Sequence, residues 1–70
     1  MTATRNELLD VLRELGASAP DLRFGQLVAN VATLARGADA SAVWDAEDDE
    51  FLTTARRLLA HYRQREQQVA

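Results

Sequence analysis

Apolar residues recur at helical spacing along the first quarter of the chain. At about 100° per residue they form one stripe, with polar residues on the opposite side. The stripe consists of Leu8, Val11, Leu12 and Leu15. Thr4 and Glu7 have the spacing of a capping box, and Gly16 is typical of a helix end. The pattern predicts an amphipathic helix over residues 4–15.

A second apolar stretch follows Pro20, which disfavours helix in the residue before it and is compatible with a helix start. Its apolar face is wide, because an adjoining face carries only small residues. The two faces comprise Phe24, Leu27, Val28, Val31, Leu34 and Ala35, and then Gly25, Ala29 and Ala32. A helix with so little polar surface is expected to pack against two neighbours. We predict a helix over residues 22–36, ended by Gly37, as the central and most buried element.

The third apolar stretch predicts a helix over residues 46–66, with a frayed tail after it. Its face carries Phe51, Leu52, Ala55, Leu58, Leu59 and Tyr62. The connection before it, residues 37–46, is long for a helical bundle. We expect Asp39 to cap a single turn there, which would put Val43 and Trp44 against the core.

Together these stretches predict an all-α fold: a compact three-helix bundle with a central apolar second helix and a long connector before the third. The 70 residues allow one helical domain, residues 1–70. A core of this size rarely supplies more than about 3–5 kcal/mol of stability. A homodimer that covers leftover apolar surface would be one remedy.

Composition excludes several classes of protein. The chain has no cysteine, so it has no disulfide and no thiolate metal site. No apolar run approaches the roughly 18 residues that a membrane span needs. The first residues lack the basic-then-apolar pattern of a signal peptide. We therefore expect a cytoplasmic protein that does not contact a membrane.

Residues 44–51, WDAEDDEF, place five carboxylates between a tryptophan and a phenylalanine. One interpretation is a helix start, in which Asp45 is the N-cap and the next carboxylates lie at the positive end of the helix dipole. A metal site would need converging ligands such as Glu47 with Glu50, but neither a Glu-x-x-His motif nor a calcium-loop pattern accompanies them. A third interpretation is an acidic patch for a basic partner. The sequence favours the helix start, leaves the patch open and gives the metal site little support.

Residues suited to catalysis are scarce. His61 is the sole histidine, and no spacing brings it to Ser18 or Ser41. The three glycines are isolated, so no phosphate-binding loop is indicated. The acidic start of the third helix would repel nucleic-acid phosphates. The sequence therefore predicts no enzyme, cofactor, metal or small-molecule substrate, and argues against a nucleic-acid partner.

Three polar residues form a row on the second predicted helix: Arg23, Gln26 and Asn30, at positions i, i+3 and i+7. Buried amides must find hydrogen-bond partners. We expect Arg23 to pair with a carboxylate among residues 48–50, and Asn30 to bond the backbone of the connector. Otherwise the row would be a partner-binding strip.

The run Arg23-Phe24-Gly25-Gln26-Leu27 with Asn30, followed by Trp44 and residues 47–50 with Leu52, resembles an uncharacterised family of short bacterial and phage-borne proteins. Their pattern is approximately R-F/L-G-Q-L…N…E-D-D-E-L-L, which this chain matches as R-F-G-Q-L…N…E-D-D-E-x-L. The resemblance covers roughly residues 20–60, and the chain departs from it with Phe51 before Leu52 and an Ala-rich connector. It implies a small soluble bacterial protein, no particular activity, and a polar row that belongs with the acidic turn.

The predicted function is a small helical protein-interaction module, an accessory or regulatory subunit that binds a protein partner or a second copy of itself. The contact would use the small-residue face of the second helix, or an edge formed by Trp44, the acidic turn and Arg23. The candidate site residues are Arg23, Gln26, Asn30, Trp44, Asp48, Asp49 and Glu50. The alternative is an acidic inhibitor, or nucleic-acid mimic, of a basic protein surface; a metal-dependent enzyme is the weakest hypothesis.

Overall fold

A computed structural model describes residues 2–68, with side chains over residues 3–65. This part of the chain is helical and contains no strand. Its elements are α1 (Thr2–Ser18), α2 (Phe24–Arg36), α3 (Ala42–Asp45) and α4 (Asp48–Gln68). The prediction of an all-helical protein is confirmed. The described residues form four helices rather than three, because the connector itself contains a short helix.

Helix α1 is longer than predicted at both ends. Thr4 lies inside the helix and therefore does not cap it. Gly16 does not stop the helix either, since α1 continues to Ser18 and the Ala19 N–H still donates to the Leu15 carbonyl at 2.9 Å. The helix ends where Pro20 disfavours helical backbone in the residue before it.

Helix α2 ends at Gly37, as predicted. Gly37 has φ 94°, in the left-handed region that favours glycine, and its N–H donates to the Thr33 carbonyl at 2.7 Å. The helix begins at Phe24, two residues later than predicted.

The central element is α4, so the prediction that the second helix is central and most buried is wrong. Helix α4 packs along α1 and also against α2, whereas α1 and α2 touch little. On α2, Leu27 and Val31 are buried, but the side chains of Phe24 and Leu34 are 63% and 62% exposed. Helix α4, with 21 residues, is long enough to meet both α1 and α2, whereas α2, with 13, packs against α4 and the short α3 and reaches α1 little.

Helices α1 and α4 run parallel, and their contact has heptad features. Two ion pairs, Glu7 with Arg56 and Glu14 with Arg63, repeat after seven residues on both helices. The core between the helices contains Leu8, Val11, Leu12 and Leu15 from α1, and Phe51, Leu52, Ala55 and Leu59 from α4. Ion pairs that flank an apolar seam at this spacing set the register of parallel coiled coils. We name this contact the α1–α4 seam.

The connector contains a single turn as predicted, but the N-cap of α3 is Ser41 rather than Asp39. The Asp39 carboxylate accepts hydrogen bonds from the Ser41 N–H and hydroxyl at 3.1 and 3.2 Å. Ala42 is the residue that α3 buries. The prediction that Val43 and Trp44 pack on the core is therefore wrong, since Val43 is 49% and Trp44 86% exposed. A single helical turn has one inner face, and Ala42 occupies it.

Candidate interaction surface

The start of α4 is set by Glu47 and Glu50. The Phe51 N–H donates to the Glu47 carbonyl at 2.9 Å, and a Glu50 carboxylate oxygen accepts from the Glu47 N–H at 2.7 Å. This reach-back from the third helical residue is half of a capping box. Glu47 is thus the N-cap, and the assignment of Asp45 as N-cap was wrong because Asp45 ends α3. The first-turn carboxylates lie where the helix dipole favours negative charge.

Glu50 also carries an ion pair across the molecule. Arg36 Nε and Nη2 donate to the same Glu50 oxygen at 3.0 and 2.7 Å. The hydrogen bond from Arg36, and then that from the Glu47 N–H, hold the pKa of Glu50 below its usual range. The same hydrogen bond raises the pKa of Arg36.

The predicted pairing of Arg23 with the acidic turn is wrong. Helices α2 and α4 run antiparallel, since Arg36 meets Glu50 and, further along, Asn30 lies beside Tyr62. The last residue of α2 therefore reaches the first turn of α4. Arg23 is at the opposite end of a 13-residue helix, roughly 20 Å away at about 1.5 Å per residue.

Gln26 has a capping role that sequence reasoning missed. Its side-chain oxygen accepts from the Arg23 N–H at 2.8 Å, the same reach-back that Glu50 makes to Glu47. The guanidinium of Arg23 has only donors, so it cannot return the bond. The capping-box spacing of an arginine and a glutamine does not suggest this bond, because the usual first residue is Ser or Thr.

The bond expected from Asn30 to the connector is not among the hydrogen bonds of the described residues. Asn30 lies exposed on α2 near Thr33 and Tyr62. The structure therefore separates the candidate site residues. Trp44, Asp48, Asp49 and Glu50 come together at the start of α4, whereas Arg23, Gln26 and Asn30 lie elsewhere on α2.

A shallow cleft of about 460 Å³ lies between α3, the start of α4 and the start of α1. Its lining residues are Thr4, Arg5, Trp44, Asp45, Ala46, Glu47, Asp48 and Asp49. We name it the Trp44 corner. Arg5 donates through Nε and Nη2 to one oxygen of Asp48, at 3.1 Å each. Sequence reasoning missed Thr4 and Arg5, because only the parallel arrangement of α1 and α4 brings them here.

Three carboxylates of the corner form no ion pair with any residue between 3 and 65: Asp45, Glu47 and Asp49. Among the described residues, the Asp49 carboxylate accepts a hydrogen bond only from the Glu50 N–H, at 2.8 Å. The corner therefore combines an exposed indole with carboxylates that form no direct ion pair among the described residues.

The described side chains of the corner do not provide the converging ligands that the metal hypothesis requires. Over the described side chains, no group of three His, Asp or Glu residues converges as a metal site. Glu50, which the sequence paired with Glu47 as ligands, instead bonds Arg36 and the Glu47 backbone. No helix of the described chain is long and apolar enough to cross a membrane.

Comparison with known proteins found no match among protein-family models, curated proteins or solved structures. The resemblance to the bacterial and phage-borne family therefore stays a prediction.

Proposed function

We propose that this protein is a small helical protein-interaction module, an accessory or regulatory subunit that binds its partner through the Trp44 corner. The observation that carries the proposal is the 86% exposure of Trp44. Tryptophan is highly buried on average and is enriched among the residues that dominate binding energy at interfaces. Under this proposal the protein acts in the cytoplasm, without catalysis or cofactor.

The surroundings of Trp44 support a contact role. Helix α3 is fixed by Ala42 and by the Asp39 hydrogen bonds, so the indole is not needed to hold the turn. Asp45, Glu47 and Asp49 form an acidic border. A partner with an apolar pocket and a basic rim would match this surface, since complementary charge gives specificity and faster association.

The test is capture from a lysate of the source cells with tagged wild-type protein and two variants. Trp44→Ala removes the proposed anchor, and Leu9→Ala is the matched control, because Leu9 is also an exposed large apolar residue, at 54%. We expect the same partner with wild type and Leu9→Ala, and loss of that partner with Trp44→Ala. Retention of the partner by Trp44→Ala would contradict the proposal.

Tryptophan emission gives a direct readout with the purified partner. The chain has a single tryptophan. Burial of an exposed indole shifts its emission to shorter wavelength, so a partner without tryptophan should produce a saturable blue shift. Binding without any change in emission would show that the contact lies elsewhere.

A second candidate function, an acidic inhibitor of a basic protein surface, is favoured by the three unpaired carboxylates. Its affinity would depend on charge and fall steeply as salt is added. The double variant Asp45→Asn/Glu47→Gln should then lose more affinity than Trp44→Ala. The opposite order, with weak salt dependence, would support the indole-centred contact.

A further inference from the structure

A groove runs between α2 and α4, on a different surface from the Trp44 corner. It consists of two adjoining hollows of about 420 and 230 Å³ that share Leu34 and Leu58. Arg57 and His61 border one hollow, and Tyr62 the other. Leu34 is 62% exposed, so the groove has an uncovered apolar floor.

The border of this groove has the opposite charge to the Trp44 corner. Within residues 3–65, five arginines form ion pairs: Arg5, Arg13, Arg36, Arg56 and Arg63. Arg57 has no such pair within residues 3–65, and no carboxylate of these residues lines the groove. The described fold thus pairs five arginines with carboxylates but leaves a positive border here and a negative border around Trp44.

We propose that the groove binds the Trp44 corner of a second copy of this chain. The indole would lie against Leu34 and Leu58, with the corner carboxylates next to Arg57. The two surfaces differ, so the contact is heterologous: one copy gives its corner and the other its groove. This inference rests on the proposed role of Trp44 as a contact residue, and it identifies a second copy of the chain as a partner of Trp44.

The contact is small, which sets the conditions of the test. One buried aromatic side chain covers about 150–250 Å², far below the roughly 1,200 Å² of a stable interface. Association should therefore be weak, visible at submillimolar to millimolar protein, and weaker at high salt, because exposed charges are screened.

The experiment is sedimentation equilibrium over a range of protein concentration at low and high salt, with tryptophan emission recorded on the same samples. For wild type we expect the average mass to rise above 7.8 kDa with concentration, the emission to shift to shorter wavelength, and both changes to shrink at high salt. Arg57→Glu should weaken association about tenfold, equivalent to about 1.4 kcal/mol. Arg13→Glu changes the net charge equally at a side chain that is 80% exposed on α1, and should leave association near the wild-type level.

Mixing variants tests whether corner and groove meet. Trp44→Ala keeps the groove, and Arg57→Glu keeps the corner, so each alone should be close to monomeric. An equimolar mixture should form a species of twice 7.8 kDa, with a blue shift in the emission of the Arg57→Glu copy, which has the only tryptophan. Circular dichroism of both variants is the control for folding.

Three results would overturn the inference: a wild-type monomer at every concentration, association unchanged by Arg57→Glu, or a mixture that stays monomeric. Each is distinct from failure of the proposed function. If Trp44→Ala loses a captured partner while wild type remains monomeric, the proposed interaction function is supported and the proposed self-association is wrong. If Trp44→Ala retains the captured partner but abolishes self-association, the proposed function fails and the groove contact stands.

Discussion

The α1–α4 seam and the Trp44 corner use similar residues in opposite ways. In the seam, large apolar side chains are buried and the flanking charges are paired, as Glu7 is with Arg56 and Glu14 with Arg63. In the corner, the largest apolar side chain of the chain is exposed, and three carboxylates are unpaired among the described residues. In the seam, the apolar side chains and the charges find their partners within the fold, so substitutions there should alter stability. In the corner, the indole and these carboxylates lack such partners among the described residues, so substitutions there should alter binding.

The strongest way to break the seam is to open a cavity in it. Leu15 is 0% exposed, and Leu15→Ala should cost about 2–5 kcal/mol. Since a core this small rarely supplies more than about 3–5 kcal/mol, we expect the variant to be largely unfolded at 37 °C. Thermal and urea unfolding followed by circular dichroism measure this. A variant with near wild-type stability would mean that the seam is not the principal core.

Reversal of one seam charge should have a smaller effect that a second reversal repairs. Glu14→Arg places two like charges at the contact with Arg63, and exposed pairs of this kind are worth about 0.2–1 kcal/mol. Glu14→Arg/Arg63→Glu should recover most of the loss in urea unfolding. If the double variant is no more stable than the single one, the parallel register of α1 and α4 is incorrect.

Glu50 sharpens the comparison, because it is the first-turn carboxylate of α4 that pairs with α2. Its pKa is lowered in the folded state, so the unfolded state binds more protons in this range. Its stabilising contribution is present above the unfolded pKa, near 4.5, and is lost as pH falls through the folded value. Between about pH 5 and 3, the free energy of unfolding of Glu50→Gln should therefore decrease less on acidification than that of wild type.

The control for Glu50 is Glu47→Gln, which removes the same charge from the corner without breaking an ion pair among the described residues. Urea unfolding at several pH values compares the two variants with wild type. An equal change in both slopes would contradict the assignment of the effect to the Arg36–Glu50 pair.

The smallest effect on stability is expected in the corner itself. Trp44→Ala removes a side chain that is 86% exposed, and surface substitutions of this kind are usually within about 0.5 kcal/mol. Its midpoint in urea should stay close to that of wild type while partner binding is lost. A loss of 2 kcal/mol or more would show that Trp44 packs on the core, as the sequence suggested.

Local sequence signals predicted the elements well where one residue type decides the backbone. The apolar stripe of α1, the end of α2 at Gly37 and the turn at Asp39 follow from side-chain periodicity, a positive φ and short-range hydrogen bonds. The prediction that α1 ends at Gly16 was wrong, because glycine permits a helix end without requiring one. The N-cap of α4 was displaced by two residues, because several neighbouring acids could each have capped it.

The candidate site could be predicted only in part. The acidic turn and Trp44 are adjacent in the sequence, so their grouping needed no tertiary information. Arg36, the partner of Glu50, was missed in favour of Arg23, since the choice depends on whether the second and fourth helices are antiparallel. The repeat of Glu7 and Glu14 opposite Arg56 and Arg63 is visible in the sequence as a spacing of seven, and could have indicated the seam.

By itself the sequence determined an all-helical chain, the apolar faces of its main helices and an acidic segment at the start of the last one, because these depend on interactions among residues a few positions apart. Tertiary structure decided which helix is central, which arginine pairs with which carboxylate, and that Trp44 points outward. Each of those outcomes depends on which apolar faces of the longer helices pack against each other. A helical periodicity defines such a face but does not specify what covers it.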